Sequence, residues 1–330
     1  MKTLVTGATG FIGSSLVREL LKEGEEVKVL VRKDSDTRNI DGLDVEKVYG
    51  DIRDKESVKS ALKGCDTFYQ AAALYANWAP DSKIFYDINV EGAKTVLSAA
   101  LEQGVKKVVY TSSIAAVGCL ESGRLANEET EFNFWKLGSH YIRSKYLGEV
   151  EAKKFCEKGL PLVIVNPAGV IGVRDIKPTP TGEFIVKVLN KKMPGYIDAG
   201  MNFVDVEDVA RGHILAAQKG RIGERYILGN ENMFLKDFFE LVAEVGGVEP
   251  PKRKISYPLA ITLAYSSRLV SIITGKPPRV PLSTARNIGY HAYYDCSKAV
   301  RELGFSQTPI KTTIGKAVNW FKENGYVKGV

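Results

Sequence analysis

Apolar and polar positions alternate in blocks through the first half of the chain. Short, nearly continuous apolar runs at Thr3–Val5, Val27–Val31, Glu46–Tyr49, Thr67–Gln70, Lys107–Thr111 and Leu162–Asn166 predict strands. Between them, helical spacing predicts helices over Phe11–Lys22, Lys55–Lys63, Lys83–Gln103 and Gly138–Lys158. Such alternation of apolar strands and helices predicts an α/β fold, a doubly wound parallel sheet covered on both faces. A ligand then belongs beyond the carboxyl ends of the strands, where the strand order reverses. After Asn166 the rhythm changes. Residues 172–182 form a loop rich in proline and glycine, while Phe203–Val206 and Tyr226–Leu228 read as strands that rejoin the sheet. Residues 230–330 read as mostly helical. The expected division is a ligand-binding sheet unit over 1–170, rejoined by about 200–229, with 171–199 and 230–330 forming a smaller, mostly helical, interleaved cap over its ligand crevice.

The turn between the first strand and first helix carries Thr6-Gly7-Ala8-Thr9-Gly10-Phe11-Ile12-Gly13. A glycine-rich turn there lets backbone approach a pyrophosphate closely, with the free N–H groups of the helix start as donors. The spacing is G-x-x-G-x-x-G, and its position at the head of a strand–turn–helix marks a cofactor site.

Composition narrows the picture. Four separated cysteines without a C-x-x-C pair suggest reduced thiols, and three histidines without ligand spacing suggest no metal site. No signal-peptide pattern precedes the first strand, so a cytoplasmic location is expected. The net charge of +7 comes from dispersed basic residues without a nucleic-acid motif; it suits an anionic cofactor or substrate better than nucleic acid. Pro258–Thr274 is the most apolar long stretch and is short for a membrane span. Packing over the substrate cleft is its ordinary reading, and peripheral membrane contact is the alternative.

Tyr141 and Lys145 stand four residues apart on one helix face. A phenol with a pKa of about 10 is a poor base at neutral pH, and a nearby ammonium would stabilise the phenolate. The helix follows a strand that ends in Tyr110-Thr111-Ser112-Ser113, where a hydroxyl could bond the same substrate oxygen. A second Tyr-x-x-x-Lys, Tyr294–Lys298, lacks that context.

Together these residues resemble the extended short-chain dehydrogenase/reductase superfamily over essentially the whole chain. The glycine turn, Asp51-Ile52, Ala71-Ala72-Ala73, Asn89-Val90-Glu91-Gly92, the Ser–Tyr–Lys set and the run from Phe203 to Ala210 fall in family order. The resemblance implies a Rossmann-type sheet, with Ser113, Tyr141 and Lys145 catalytic. It also implies that Gly7, Thr9, Gly10, Phe11, Ile12 and Gly13 bind the cofactor together with Thr111, Tyr141 and Lys145. Asp51 and Ile52 would flank adenine, Ala72 would line the nicotinamide-ribose side with Ala71 and Ala73 also at the cofactor, and Asn166, Pro167 and Val170 would border nicotinamide and substrate. Tyr294–Lys298 falls in a late family element and reads as structural.

The second strand ends in Arg32-Lys33, where NAD-selective members usually carry an acid. Arg32 could pair with a 2′-phosphate, so NADP(H) is the expected cofactor, with NAD(H) the alternative and Asp34 the complication. Within the superfamily the chain looks closest to dihydroflavonol-4-reductase-like proteins and hopanoid-associated sugar epimerases. Enzymes of nucleotide sugars need cations for two phosphates, and here Met201 stands at the place of one family arginine, while Asn287-Ile288-Gly289-Tyr290-His291 does not reproduce the R-x-G-D element that supplies another. Arg174, Lys177 or Arg286 could substitute. Tyr75, Trp78, Phe134, Trp135, Tyr196 and Met201 suit a less charged substrate. The expectation is an NADP(H)-dependent carbonyl reductase or alcohol dehydrogenase; the alternative is an NAD(P)-dependent sugar epimerase or dehydratase, and a homodimer is expected.

Overall fold

The structure is a computed structural model that describes residues 1–120, 124–286 and 288–328. Asn287, weighed above for the arginine element, lies outside the described residues. The first half runs β1 (Lys2–Thr6), α1 (Phe11–Lys22), β2 (Glu26–Val31), β3 (Glu46–Tyr49), α2 (Lys55–Leu62) and β4 (Thr67–Gln70). Next come α3 (Lys83–Tyr86), a π-helical turn Asp87–Glu91, α4 (Gly92–Glu102), β5 (Lys107–Thr111), α5 (His140–Glu157) and β6 (Leu162–Pro167). The second half runs β7 (Gly169–Ile171), α6 (Pro180–Leu189), β8 (Gly200–Asp205), α7 (Val206–Lys219), β9 (Arg225–Leu228) and β10 (Glu231–Phe234). It closes with α8 (Leu235–Gly246), α9 (Tyr257–Thr274), α10 (Leu282–Arg286), β11 (His291–Ala292), α11 (Ser297–Leu303) and α12 (Ile310–Glu323).

Seven parallel strands form a Rossmann-type sheet in the order β3-β2-β1-β4-β5-β6-β9. The order reverses between β1 and β4, so a crevice opens at their carboxyl ends. The apolar strands are buried on both faces: Leu4, Val29, Val108, Val109, Val163 and Ile164 are fully enclosed. Helix α1 puts Leu16, Val17 and Leu20 onto the sheet, each worth about 2 kcal/mol of burial. Several helices start on a side-chain cap. Asp54 accepts from Glu56 N, Ser139 from Ile142 N, and Thr179 from Gly182 N with Pro180 at the first helical position.

The two late strands do not share one sheet. Arg225–Leu228 joins the Rossmann sheet beside β6, whereas Gly200–Asp205 pairs with β7, β10 and β11 in a second, smaller sheet. Helix α7 packs back across α1 and shares its core. The cap has its own core, in which Phe203 stacks on Phe238 at 4.1 Å beside Ile185, Val242, Ile314 and Phe321. The single helix expected over Lys83–Gln103 is interrupted by the π-helical turn, which holds Asn89.

Candidate active site

The glycine turn is built for close packing. Gly7 has φ 71°, and a Cβ there would lie 2.6 Å from the Ala71 carbonyl carbon and the Ala72 nitrogen. A Cβ on Gly13 would collide with the Gly7 carbonyl oxygen. Gly10 caps α1 with no side chain over its free N–H groups, leaving them open to an anion. A cradle that a Cβ would fill, at the strand-order switch and on a helix N-terminus, fits a dinucleotide pyrophosphate. Thr9, Phe11 and Ile12 complete the turn. Asn39 ties it to the cap by donating to the carbonyls of Thr9 (3.3 Å) and Arg174 (3.2 Å).

The neighbouring strand ends supply the rest of the crevice. Ala71, Ala72 and Ala73 follow β4, where Gln70 braces the turn by accepting from Ala72 N and donating to Ala72 O, both at 3.0 Å. Asp51 and Ile52 follow β3. The Asp51 carboxylate is held by Arg53 at 2.8 and 3.0 Å, a bond that lowers its pKa, and Ile52 packs against Gly92 at the start of α4. Arg32 follows β2 and lies 3.6 Å from Asp34; its charge also acts on Asp51.

Beyond β5 the two serines face different ways. Ser112 donates to the buried carboxylate of Glu149 at 2.6 Å. Ser113 caps a short 3-10 turn by accepting from Ala115 N, and its hydroxyl lies near enough to the Tyr141 phenol to favour the phenolate. Burial pushes Tyr141 up to about 12, and the Ser113 hydroxyl draws it back down. Lys145 is buried and donates to the Thr111 carbonyl at 2.8 Å. Desolvation lowers its pKa to about 8, with Glu149 acting in the opposite direction. The ammonium expected to stabilise the Tyr141 phenolate is therefore directed at the end of β5.

Two positioning residues, Glu149 and His213, escape sequence reasoning because their signal is only a polar residue on an apolar element, while Asn166 and Asn89, singled out from the sequence, join them. Glu149 accepts from Ser112, from Asn166 Nδ2 (2.7 Å) and from Arg225 (3.0 Å). Asn166, fully buried at the end of β6, also donates to the Ser113 carbonyl at 2.9 Å, so its amide braces the serine backbone. Asn89 bonds both backbone groups of Leu74 and the Ser144 hydroxyl, joining the loop after β4 to α5. His213, lowered to about 4 by burial, is neutral. It donates from Nδ1 to Val209 O and accepts from the Thr111 hydroxyl at 2.9 Å.

The aromatic candidates divide. The Tyr75 ring lies 4.8 Å from that of Tyr141, and Trp78 is half-buried in the same loop. Met201 lies on β8, opposite Met233 of β10, with its sulfur over Gly169. Tyr196 instead packs in the cap and lines a separate cavity with Asp198, Phe234 and Lys254. Phe134 is buried against Cys119 and Leu137, while Trp135 is exposed beside Phe132 and Tyr146. Of the three cations weighed as phosphate ligands, Arg174 pairs with Glu207 at 3.2 Å, exposed Lys177 lies 3.7 Å from Asp36, and Arg286 reaches the Lys136 carbonyl. In the second Tyr-x-x-x-Lys, buried Tyr294 donates to Ile114 O and Lys298 to Glu224 and Arg225 O.

Residues 3–229 match the model of the NAD dependent epimerase/dehydratase family. A putative dihydroflavonol 4-reductase of Synechocystis sp. is 41% identical over 328 residues, 98% of this chain and 95% of that protein. The sterol demethylase protein B of Methylococcus capsulatus is 34% identical, spanning 99% of this chain and all of that protein. Among solved structures, gox2253 superposes with a TM-score of 0.89 at 41% identity, covering 99% of both chains. A nucleoside-diphosphate-sugar epimerase from Pseudomonas aeruginosa follows at 0.84 and 27%, again over 99% of both. The expectation of NADP(H) is corrected by the solved neighbours with a stated cofactor, which hold NAD. One of them is the UDP-glucose 4-epimerase of Thermus thermophilus, with a TM-score of 0.77 and 24% identity over 98% of this chain and 99% of its own. Arg32 shows the physical reason: Asp34 and Asp51 offset the charge that a 2′-phosphate would need.

Proposed function

Since the chain belongs to the NAD-dependent epimerase/dehydratase family within the extended short-chain dehydrogenases/reductases, and is an NAD(P)-dependent oxidoreductase of CH–OH and C=O groups, we propose that it interconverts a secondary alcohol and a ketone on an apolar small molecule with NAD(H). The observation that carries this reading is Met201. A thioether packed on Gly169 stands where the nucleotide-sugar branch has an arginine, and Arg174 is paired with Glu207. The names of the two curated relatives, a reductase and a sterol demethylase protein, also support an apolar substrate.

In this reading the glycine turn and the N-terminus of α1 hold the pyrophosphate. Asp51 and Ile52 border adenine, Arg32 and Asp34 the adenosine ribose, and Ala71, Ala72, Ala73, Pro167 and Val170 the nicotinamide end. Nicotinamide, when bound, supplies or takes the hydride at the carbinol carbon. Tyr141 gives its proton to the ketone oxygen, or takes one from the alcohol, while Ser113 donates a second hydrogen bond to the same oxygen. Raised to about 12, the phenol needs a nearby positive charge to act as a base at neutral pH. Lys145 supplies it by exchanging the Thr111 carbonyl for the nicotinamide ribose. Asn166 and Glu149 keep Ser113 in place.

The sugar-epimerase reading has the family description and the Pseudomonas aeruginosa protein behind it, and it would use the same three side chains. The deciding experiment supplies NAD⁺ and a panel of aryl and fused-ring secondary alcohols, and follows NADH. Net NADH from wild type, and none from Tyr141→Phe, is the expected result. No net NADH with any alcohol, together with tightly held NAD and interconversion of nucleotide sugars, would replace the proposal with the epimerase.

A further inference from the structure

Helix α9 is packed inside out. Its buried positions are small, Ala260, Ala264 and Ser271, set against Ala285 of α10. Its large apolar side chains point the other way: Leu263, Tyr265, Leu269, Val270, Ile272 and Ile273 are all exposed, the last at 84%. Over the final two turns only Ser271 faces the protein, so the C-terminal end of α9 is an apolar tip. The tip is preorganised. Ser271 donates to Lys276 O at 2.6 Å, and Ser267 Oγ accepts from Val280 N at 3.1 Å, fastening the turn that leads back to α10. An exposed apolar surface of this kind marks a binding face.

Charge indicates what covers it. Between Pro250 and Tyr294 the chain has seven Lys and Arg residues and no Asp or Glu, so this stretch carries the whole net charge of +7. Arg268, Lys276 and Arg279 ring the tip, exposed, and pair with no carboxylate among the described residues. A second copy of the same face would bring like charges together with nothing to neutralise them. Among the described residues no helix is long and apolar enough to cross a membrane, and α9 carries Arg268 within it. Apolar side chains flanked by unpaired cations suit the boundary between acyl chains and anionic headgroups.

We propose that the C-terminal half of α9 and the turn after it dock this protein onto an anionic lipid bilayer, with Leu269, Ile272 and Ile273 entering the acyl boundary and Arg268, Lys276 and Arg279 meeting the phosphates. Beyond the turn, Arg286 of α10 reaches the Lys136 carbonyl. Docking is a property of the folded chain and stands apart from the reaction proposed above.

The test is co-sedimentation of the full chain with vesicles of phosphatidylcholine alone or mixed with phosphatidylglycerol. Binding to the mixed vesicles is expected, at least tenfold above neutral ones and falling with added salt. Ile272→Asp/Ile273→Asp and Arg268→Glu/Lys276→Glu should each weaken it about tenfold or more while NAD affinity stays unchanged. No binding to mixed vesicles, or binding that both double variants retain, would overturn the proposal. So would sedimentation velocity showing that the wild type dimerises through this face and that Ile272→Asp/Ile273→Asp makes it monomeric.

Discussion

Lys145 donates to the main-chain carbonyl of Thr111 at 2.8 Å, and so the end of β5 holds the ammonium of α5 through its backbone while presenting Ser113 to Tyr141 two residues later. The lysine is buried, and desolvation lowers its pKa from 10.5 to about 8. Between those two values the unfolded chain binds the extra proton, so unfolding becomes more costly as pH rises through the window. The shift corresponds to about 3 kcal/mol gained between pH 8 and 10.5. Lys145→Met lacks this titration. Urea unfolding of both proteins at the two ends of the window should give a difference in stability that shrinks with rising pH if the variant is the more stable at pH 8. Parallel pH dependences would show that the lysine is not desolvated.

Tyr141→Phe removes the proton donor and keeps the ring that packs at 4.8 Å on Tyr75. Turnover should fall by about 10²–10⁴-fold, the usual contribution of a positioned acid or base. NAD affinity by calorimetry and the melting temperature should stay close to wild type. Retained turnover would remove the phenol from the mechanism.

Gly13→Ala places a methyl group against the Gly7 carbonyl oxygen, within backbone that cannot rotate away. Forced overpacking of this kind costs about 1–3 kcal/mol, and it displaces the turn that would carry the pyrophosphate. The expected result is a lower melting temperature and NAD binding weakened by about tenfold or more. Gly24→Ala is the control for left-handed strain without crowding, since nothing lies near its Cβ although φ is 75°. It should cost stability and leave NAD binding alone.

The Rossmann half was legible because parallel strands buried on both faces become unbroken apolar runs, and all six early ones stand in the sheet. Gly200–Asp205 was not placed as readily. Its apolar pattern marks a strand, but its neighbours, β7 before it and β10 and β11 after it, are set by tertiary pairing. The break in the helix at Asn89 has a similar origin, because the side chain is drawn to the Leu74 backbone fifteen residues away. At the candidate site, Ser112 and Ser113 have the same chemistry on paper, and only the fold turns one to Glu149 and the other to Tyr141. Arg32 misled for a related reason: Asp34 is visible two residues on, but Asp51, whose carboxylate also feels its charge, is brought near only by the end of β3.

His213 gives a prediction on the acid side. Its folded pKa, about 4, lies below the usual 6.5, because burial opposes charging. The unfolded chain therefore binds more protons between those values, and stability should fall as pH drops from 6.5 through 4. His213→Gln, which can still bond the Thr111 hydroxyl, should flatten that part of the profile in urea unfolding. An unchanged slope would assign the acid sensitivity to other groups.

Glu149 tests whether the network behind Ser113 positions the site or takes part in the reaction. Its carboxylate is 3% exposed and accepts from Ser112, Asn166 and Arg225, with Lys153 at 3.3 Å. Glu149→Gln nearly keeps the shape but replaces an acceptor oxygen with a donor and leaves the Arg225 guanidinium without its buried counter-charge. Breaking a buried pair in this way costs about 3–5 kcal/mol, which urea unfolding should register. Asn166 also holds the Ser113 carbonyl, so the same change should let the serine shift and lower kcat in the protein that remains folded. Arg225→Leu/Glu149→Leu removes both charges and should recover most of the stability, yet not kcat, because Ser112 and Asn166 still lose their common acceptor. Recovery of both would mean that the carboxylate matters only as the partner of Arg225, and that Ser113 is held by its own 3-10 turn.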